Sequence, residues 1–215
     1  MQEFTEITGM VLKAEPIGEY DRRIVILSKE KGKISAFAKG SRRPNSKMLA
    51  ATNPFSFGVF RLYAGRSSYN VVDVEISNYF EGLREDLEGA CYGMYFLEVM
   101  DYYTRENSDE KEMLKLLYQS LRALEKQSLK DRLVRYIFEL KALAVNGEFP
   151  GMPREGDWEK STEYAVYYIE HSSVEKLYTF TVTEKVLGEL GEIADIYRER
   201  FIDRPFKSLE ILDDL

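Results

Sequence analysis

One cysteine, Cys91, stands in the whole 215-residue chain. No internal disulfide can form, no Cys-rich metal site is available, and the chain fits a reducing compartment. Histidine is as scarce. His171 is the single one, and in the turn-like HSS it reads as a polar turn residue rather than a base. Long apolar runs are missing too. The most apolar stretches, such as CYGMYFLEVM, fall far short of the ~20 residues of a membrane span. The opening MQEFTEITG has no basic segment leading into an apolar run, so no signal peptide is expected. GxxxxGK(S/T) and GxGxxG are both absent, which removes the usual phosphate loops. No Ser or Cys sits in a nucleophile-elbow context. Acidic residues fall on helix exteriors such as LREDLEG, where solvation accounts for them. The sequence therefore predicts neither an enzyme nor a metal or cofactor site.

What is present is an uneven charge. The net charge is -7, yet residues 1–80 hold 12 Lys/Arg against 8 Asp/Glu. Residues 22–48 alone hold nine basic residues and one acid, Glu30. Such asymmetry points to an anion-binding segment joined to an acidic one.

The hydrophobic pattern divides at the same place. In residues 1–80, FTEITGMVLKA, RRIVILS, KISAFAK, FSFGVFRLY and NVVDVEIS are short and rich in β-branched or aromatic residues. Turn material separates them. Five strands with one long connection, residues 40–54, predict a small barrel of the OB type. From Leu83 the period becomes helical. Leu83 to Met100, Met113 to Leu124, Leu129 to Leu143 and Val186 to Phe201 mark four helices. Asn146-Gly147 signals the end of the third. The fold class is α+β: a barrel domain over 1–80, then a helical domain over 81–215. Residues 148–182 form an irregular insert within the latter, in which EYAVYYIE and LYTFTV read as a strand pair.

Cys91 and the tyrosines Tyr92, Tyr95, Tyr102 and Tyr103 share one helix and read as packing groups. The basic segment carries more. Alternation along KISAFAK sets Lys33, Ser35, Phe37 and Lys39 on one side, opposite Ile34, Ala36 and Ala38. Cations beside an aromatic suit a single nucleic-acid strand, because the cations neutralise phosphates and the ring stacks a base. The alternative turns Phe37 into the barrel. The loop KGSRRPNSK adds Arg42, Arg43 and Lys47, and guanidinium forks suit phosphate. Arg22 and Arg23 precede it on the second strand.

These pieces, in this order, resemble the bacterial RecO family of DNA-repair recombination mediators. The likeness lies in the GMVLKA opening, the Gly18-Glu19-Tyr20-Asp21 step, Gly32-Lys33 and the run Lys39, Gly40, Arg42, Arg43, Ser46. FEGLREDLEGACYGMYFLEVMD, FELKALAVNGEFP and RPFKSLEIL extend it along the chain. The resemblance implies binding of single- and double-stranded DNA, annealing of complementary strands, and work with RecR. It further implies loading of the RecA recombinase on DNA covered by single-stranded DNA-binding protein, in the cytoplasm at the nucleoid. The DNA-contacting candidates are Arg22, Arg23, Lys33, Phe37, Lys39, Arg42, Arg43 and Lys47. On the helical part, Lys126, Lys130, Arg132 and Arg135 are candidate exposed contacts for the acidic tail of single-stranded DNA-binding protein. Many members carry four cysteines after the helix-ending G-x-x-P turn. Residues 151–182 have none, so no zinc is expected, and Tyr164, Val166, Tyr168, Tyr178 and Phe180 are expected to pack in its place. Three other readings stay open: an RNA- or tRNA-binding OB module, a metal-dependent nucleic-acid hydrolase, and a protein-interaction scaffold.

Overall fold

The computed structural model describes residues 4–65, 68–126 and 128–213. Five strands close a barrel in the order β1-β2-β3-β5-β4. They are β1 (Phe4–Ile17), β2 (Asp21–Ser28), β3 (Gly32–Ala38), β4 (Phe57–Ala64) and β5 (Tyr69–Asn78). Helix α1 (Met48–Ala51) lies in the β3–β4 connection. All strand pairs are antiparallel except β3 with β5. This five-stranded closure is the OB barrel that the strand pattern predicts.

Alternation explains why these segments become strands. Ile24 and Ile26 of β2 pair with Ala36 and Ile34 of β3. All four point into a core shared with Ile7, Val11, Ala38, Phe60, Leu62 and Val71. The intervening residues face outward. The β2–β3 turn needs a glycine. Gly32 has φ +66, and a Cβ there would collide with the carbonyl oxygens of Arg105 and Ser108.

The chain forms two compact units. Leu97–Leu114 groups with the barrel, although it follows it in sequence. The second unit holds Gly82–Phe96 and the residues from Lys115 onward. Its elements are α2 (Glu81–Glu85), α3 (Leu87–Tyr103), α4 (Lys111–Lys126), α5 (Asp131–Val145), α6 (Lys160–His171), α7 (Glu184–Phe201) and α8 (Lys207–Asp213), of which α2, α3 and α4 begin or end in the first unit. In the second unit's core the Phe96 and Phe138 rings stack at 4.1 Å. Helix α5 ends as its Asn-Gly signal predicts. Gly147 has φ +75, the Glu148 amide donates to the Leu143 carbonyl at 2.9 Å, and the Gly147 amide donates to Ala144 at 3.2 Å. This is a Schellman cap.

The expected strand pair within 148–182 is not formed. EYAVYYIE lies in helix α6, and a single 3-10 turn follows at Val174–Lys176. Thr162, Ala165, Val166 and Ile169 are the buried residues of α6. They repeat at the i, i+3, i+4, i+7 spacing of one helical face, and burying that face outweighs the strand preference of tyrosine. His171 accordingly ends a helix, stacked on Tyr167 at 4.1 Å. Tyr164 does not pack inward as expected; it is 69% exposed. The segment is held by other groups. Buried Lys141 donates to the α6-terminal carbonyls of Glu170 (2.8 Å) and Ser172 (2.7 Å), a cation placed where the helix dipole favours one. The Tyr168 and Phe180 rings meet edge to face at 5.3 Å. Tyr178 hydrogen-bonds Ser120 at 2.5 Å, and burial raises its phenol pKa.

Candidate nucleic-acid interface

The outer face of β2 and β3 carries the residues that the barrel core rejects. Arg23 stands opposite Phe37, Val25 opposite Ser35, and Leu27 opposite Lys33. Phe37 is therefore outside the barrel and half-buried.

The two ends of this face differ. At the turn end, the Lys33 amide donates to the Arg105 carbonyl at 2.9 Å, and the Asn107 amide donates to Lys31 at 2.9 Å. The Lys33 ammonium lies 3.2 Å from one Asp101 carboxylate oxygen, and Lys13 lies 2.7 Å from the other. Burial alone would raise the Asp101 pKa. The two lysines outweigh it and hold that carboxyl below its usual range. Lys33 is thus engaged inside the unit rather than presented to solvent.

The other end is open. A groove of about 470 Å³ is lined by Arg23, Ser35, Phe37, Tyr69 and Glu106, with Ala64, Gly65 and Ser68 at its edge. The Arg23 Nε donates to Ser35 Oγ at 2.9 Å, which fixes the guanidinium over the face. Tyr69 arrives because β5 runs parallel to β3, with Ala36 beside Tyr69 and Phe37 beside Asn70. In OB barrels this strand face, with the β1–β2 and β4–β5 loops, is where oligonucleotides and oligosaccharides bind.

The cationic loop is tied to the β1–β2 turn. Asp21 Oδ1 accepts from the Gly40 amide at 2.7 Å. The Arg42 amide donates to the Tyr20 carbonyl at 2.8 Å, and the Arg42 guanidinium reaches Gly18 O at 3.3 Å. Arg43 lies over the Tyr20 ring, 5.5 Å from its centroid. Arg22 turns to the loop from below, donating to Leu49 O (2.9 Å) and Thr52 Oγ1 (2.8 Å). Burial, with the nearby Arg42 charge, lowers its pKa. Lys47 pairs with Asp73. Both are exposed, so the pair contributes little and exchanges readily for another anion.

Residues 1–80 match the family model Recombination protein O N terminal, and residues 84–155 match Recombination protein O C terminal. The chain belongs to the RecO family. It is 28% identical over 244 residues to the DNA repair protein RecO of Acetivibrio thermocellus, covering 99% of this chain and 97% of that one. It is 37% identical over 142 residues to the protein of the same name from Alkaliphilus metalliredigens, covering 66% and 58%. Against that of Bacillus subtilis it is 24% identical over 245 residues, covering 98% and 94%. RecO membership places the chain in DNA repair and recombination.

The barrel of this RecO-family chain brings Arg23 and Phe37 together in the groove. Lys39, Arg42 and Arg43 are exposed on the adjoining loop. Arg22, Lys33 and Lys47 are each engaged by a partner within the unit. Tyr20, Tyr69 and Glu106 are the groove and loop residues that the sequence reading missed. Tyr20 had a local signal, standing beside Asp21 in the turn. The other two arrive through pairing and chain reversal, which leave no local mark.

On the helical unit, Lys126 and Arg132 are exposed, and Lys130 is exposed but paired with Glu184. Arg135 is not the exposed contact expected of it. It is buried, its Nε donating to Glu139 Oε1 at 2.8 Å, and the Tyr95 hydroxyl donates to the same oxygen at 2.6 Å. Among the described residues, no group of three or more His, Cys, Asp or Glu is placed to hold a metal. With one cysteine, the four-cysteine zinc site cannot form. No described helix is long and apolar enough to cross a membrane.

Proposed function

We propose that this chain is a non-catalytic recombination mediator. It binds single- and double-stranded DNA through the open end of the β2–β3 face, anneals complementary strands, and acts with RecR to load RecA on DNA covered by single-stranded DNA-binding protein. The observation that carries this reading is the juxtaposition of Arg23, Phe37 and Tyr69 in one groove, beside a loop that holds Lys39, Arg42 and Arg43. Cations take phosphates, and the two rings offer faces to unpaired bases. Annealing requires neutralised phosphates with free pairing edges, which a broad cationic face supplies.

In this reading residues 1–80 are the DNA-binding domain. Residues 81–215 are the partner platform, with Lys126, Lys130 and Arg132 available to an acidic segment. Arg22 supports the loop, Lys33 supports the face, and Lys47 exchanges Asp73 for phosphate. The protein works in the cytoplasm at the nucleoid. An annealing assay with two labelled complementary strands tests this directly. Wild-type protein speeds duplex formation, and Arg42→Ala/Arg43→Ala slows it at equal protein concentration. An unaccelerated wild-type reaction contradicts the annealing role.

A further inference from the structure

The groove contains one residue that a plain phosphate site would not keep. Glu106 lines it together with Arg23, Ser35, Phe37 and Tyr69. Its backbone is fixed by a bridge to Gly32, while its side chain is exposed. Among the described residues, no hydrogen bond or ion pair engages its carboxylate. A free carboxylate repels phosphate but accepts N–H donors. In a groove that takes a nucleic-acid strand, such a carboxylate suits a base edge rather than a phosphate, which suits Arg23 and the cationic loop.

Resting on the nucleic-acid reading of this groove, we propose that it selects an unpaired guanine. The base lies against Phe37 and Tyr69, and its N1–H and exocyclic amino group donate to the two oxygens of Glu106. Guanine is the base that presents two adjacent N–H donors on its Watson–Crick edge. Adenine and cytosine present one amino group beside a ring acceptor, and thymine one N–H between two carbonyls. The carboxylate fork matches guanine as it matches a guanidinium. The same edge is consumed in a duplex, so selection of guanine is also selection of single strands. It gives a release step as well. When a complementary strand pairs the guanine, Glu106 loses its donors, and its charge then opposes the phosphates of the new duplex.

The test uses the intact protein and three thymidine oligonucleotides in competition anisotropy. One has no substitution, one has isolated guanines, and one has inosine at those positions, which lacks the exocyclic amino group. Wild-type protein binds the guanine oligonucleotide about 5-fold more tightly than the inosine one, the low end of a two-donor contact. Glu106→Ala, which removes both acceptor oxygens, erases this ratio while binding the unsubstituted oligonucleotide at least as tightly as wild type does. Equal wild-type affinity for guanine and inosine overturns guanine selection but leaves the DNA site standing. A guanine preference that persists in Glu106→Ala overturns the role of Glu106. Failure of wild type to bind any of the three overturns the nucleic-acid reading together with this one. Thermal unfolding of Glu106→Ala at the wild-type temperature shows that the variant is folded.

Discussion

The carboxylate of Asp21 accepts the backbone amide of Gly40 at 2.7 Å. An acid in the β1–β2 turn thereby fixes the start of the loop that carries Arg42 and Arg43. A negative charge inside a cationic segment is here a structural clamp. Asp21→Ala is expected to cost about 1.5–3 kcal/mol, the range for a hydrogen bond to a charged group. Hydrogen exchange reads the effect locally, with faster exchange at the Gly40 and Arg42 amides. Asp21→Asn keeps an acceptor and loses less.

Lys33 and Asp101 give a pH signature. The Asp101 carboxyl is held below its unfolded value of about 3.8. Its contribution to stability is therefore complete above the unfolded pKa and is lost as pH falls through the folded one. Urea unfolding followed from pH 6 downward should show stability declining in the acid range below about pH 4. In Lys33→Ala that decline is shallower, and stability at neutral pH is lower by roughly 1 kcal/mol.

Gly32 is required by both conformation and space. Its φ of +66 disfavours a side chain, and a Cβ would strike the carbonyls of Arg105 and Ser108. Gly32→Ala is expected to lower stability by more than about 2 kcal/mol. The measurement is the chemical-denaturation midpoint, compared with Gly188→Ala, where a Cβ meets nothing within 4 Å.

Arg135 separates burial from display. Its side chain is 9% exposed, and that of its partner Glu139 is 8% exposed. Arg135→Ala leaves a buried carboxylate with fewer partners and should cost about 3–5 kcal/mol. Arg132→Ala, about one helical turn earlier on α5 and exposed, should stay within about 0.5 kcal/mol. Equilibrium unfolding of the two variants distinguishes a structural from a displayed cation.

The barrel was legible because its signal is local. KISAFAK alternates with a period of two, and burying Ile34, Ala36 and Ala38 forces Lys33, Ser35 and Phe37 outward. The Asn146-Gly147 stop is equally local. The EYAVYYIE segment misled because Tyr164, Val166 and Tyr168 alternate as in a strand, while the four residues that decide for a helix include Thr162 and Ala165, which are weakly apolar. Arg135 misled because its partners Tyr95 and Glu139 lie 40 residues upstream and one helical turn downstream. The groove was half legible. Arg23 and Phe37 declare themselves by pattern, whereas Tyr69 comes by parallel pairing and Glu106 comes from beyond the barrel sequence.

The most direct measurement is anisotropy of labelled single-stranded DNA against salt, for wild type, Phe37→Ala and Arg42→Ala/Arg43→Ala. Wild type should give a log K against log salt slope of several contacts, at about −0.7 per contact. The double variant should lose roughly one to two contacts from that slope. Phe37→Ala should weaken binding by about 1–3 kcal/mol with the slope unchanged, because it removes stacking and no charge. Wild-type binding that neither variant alters would contradict the placement of DNA on the open end of the β2–β3 face.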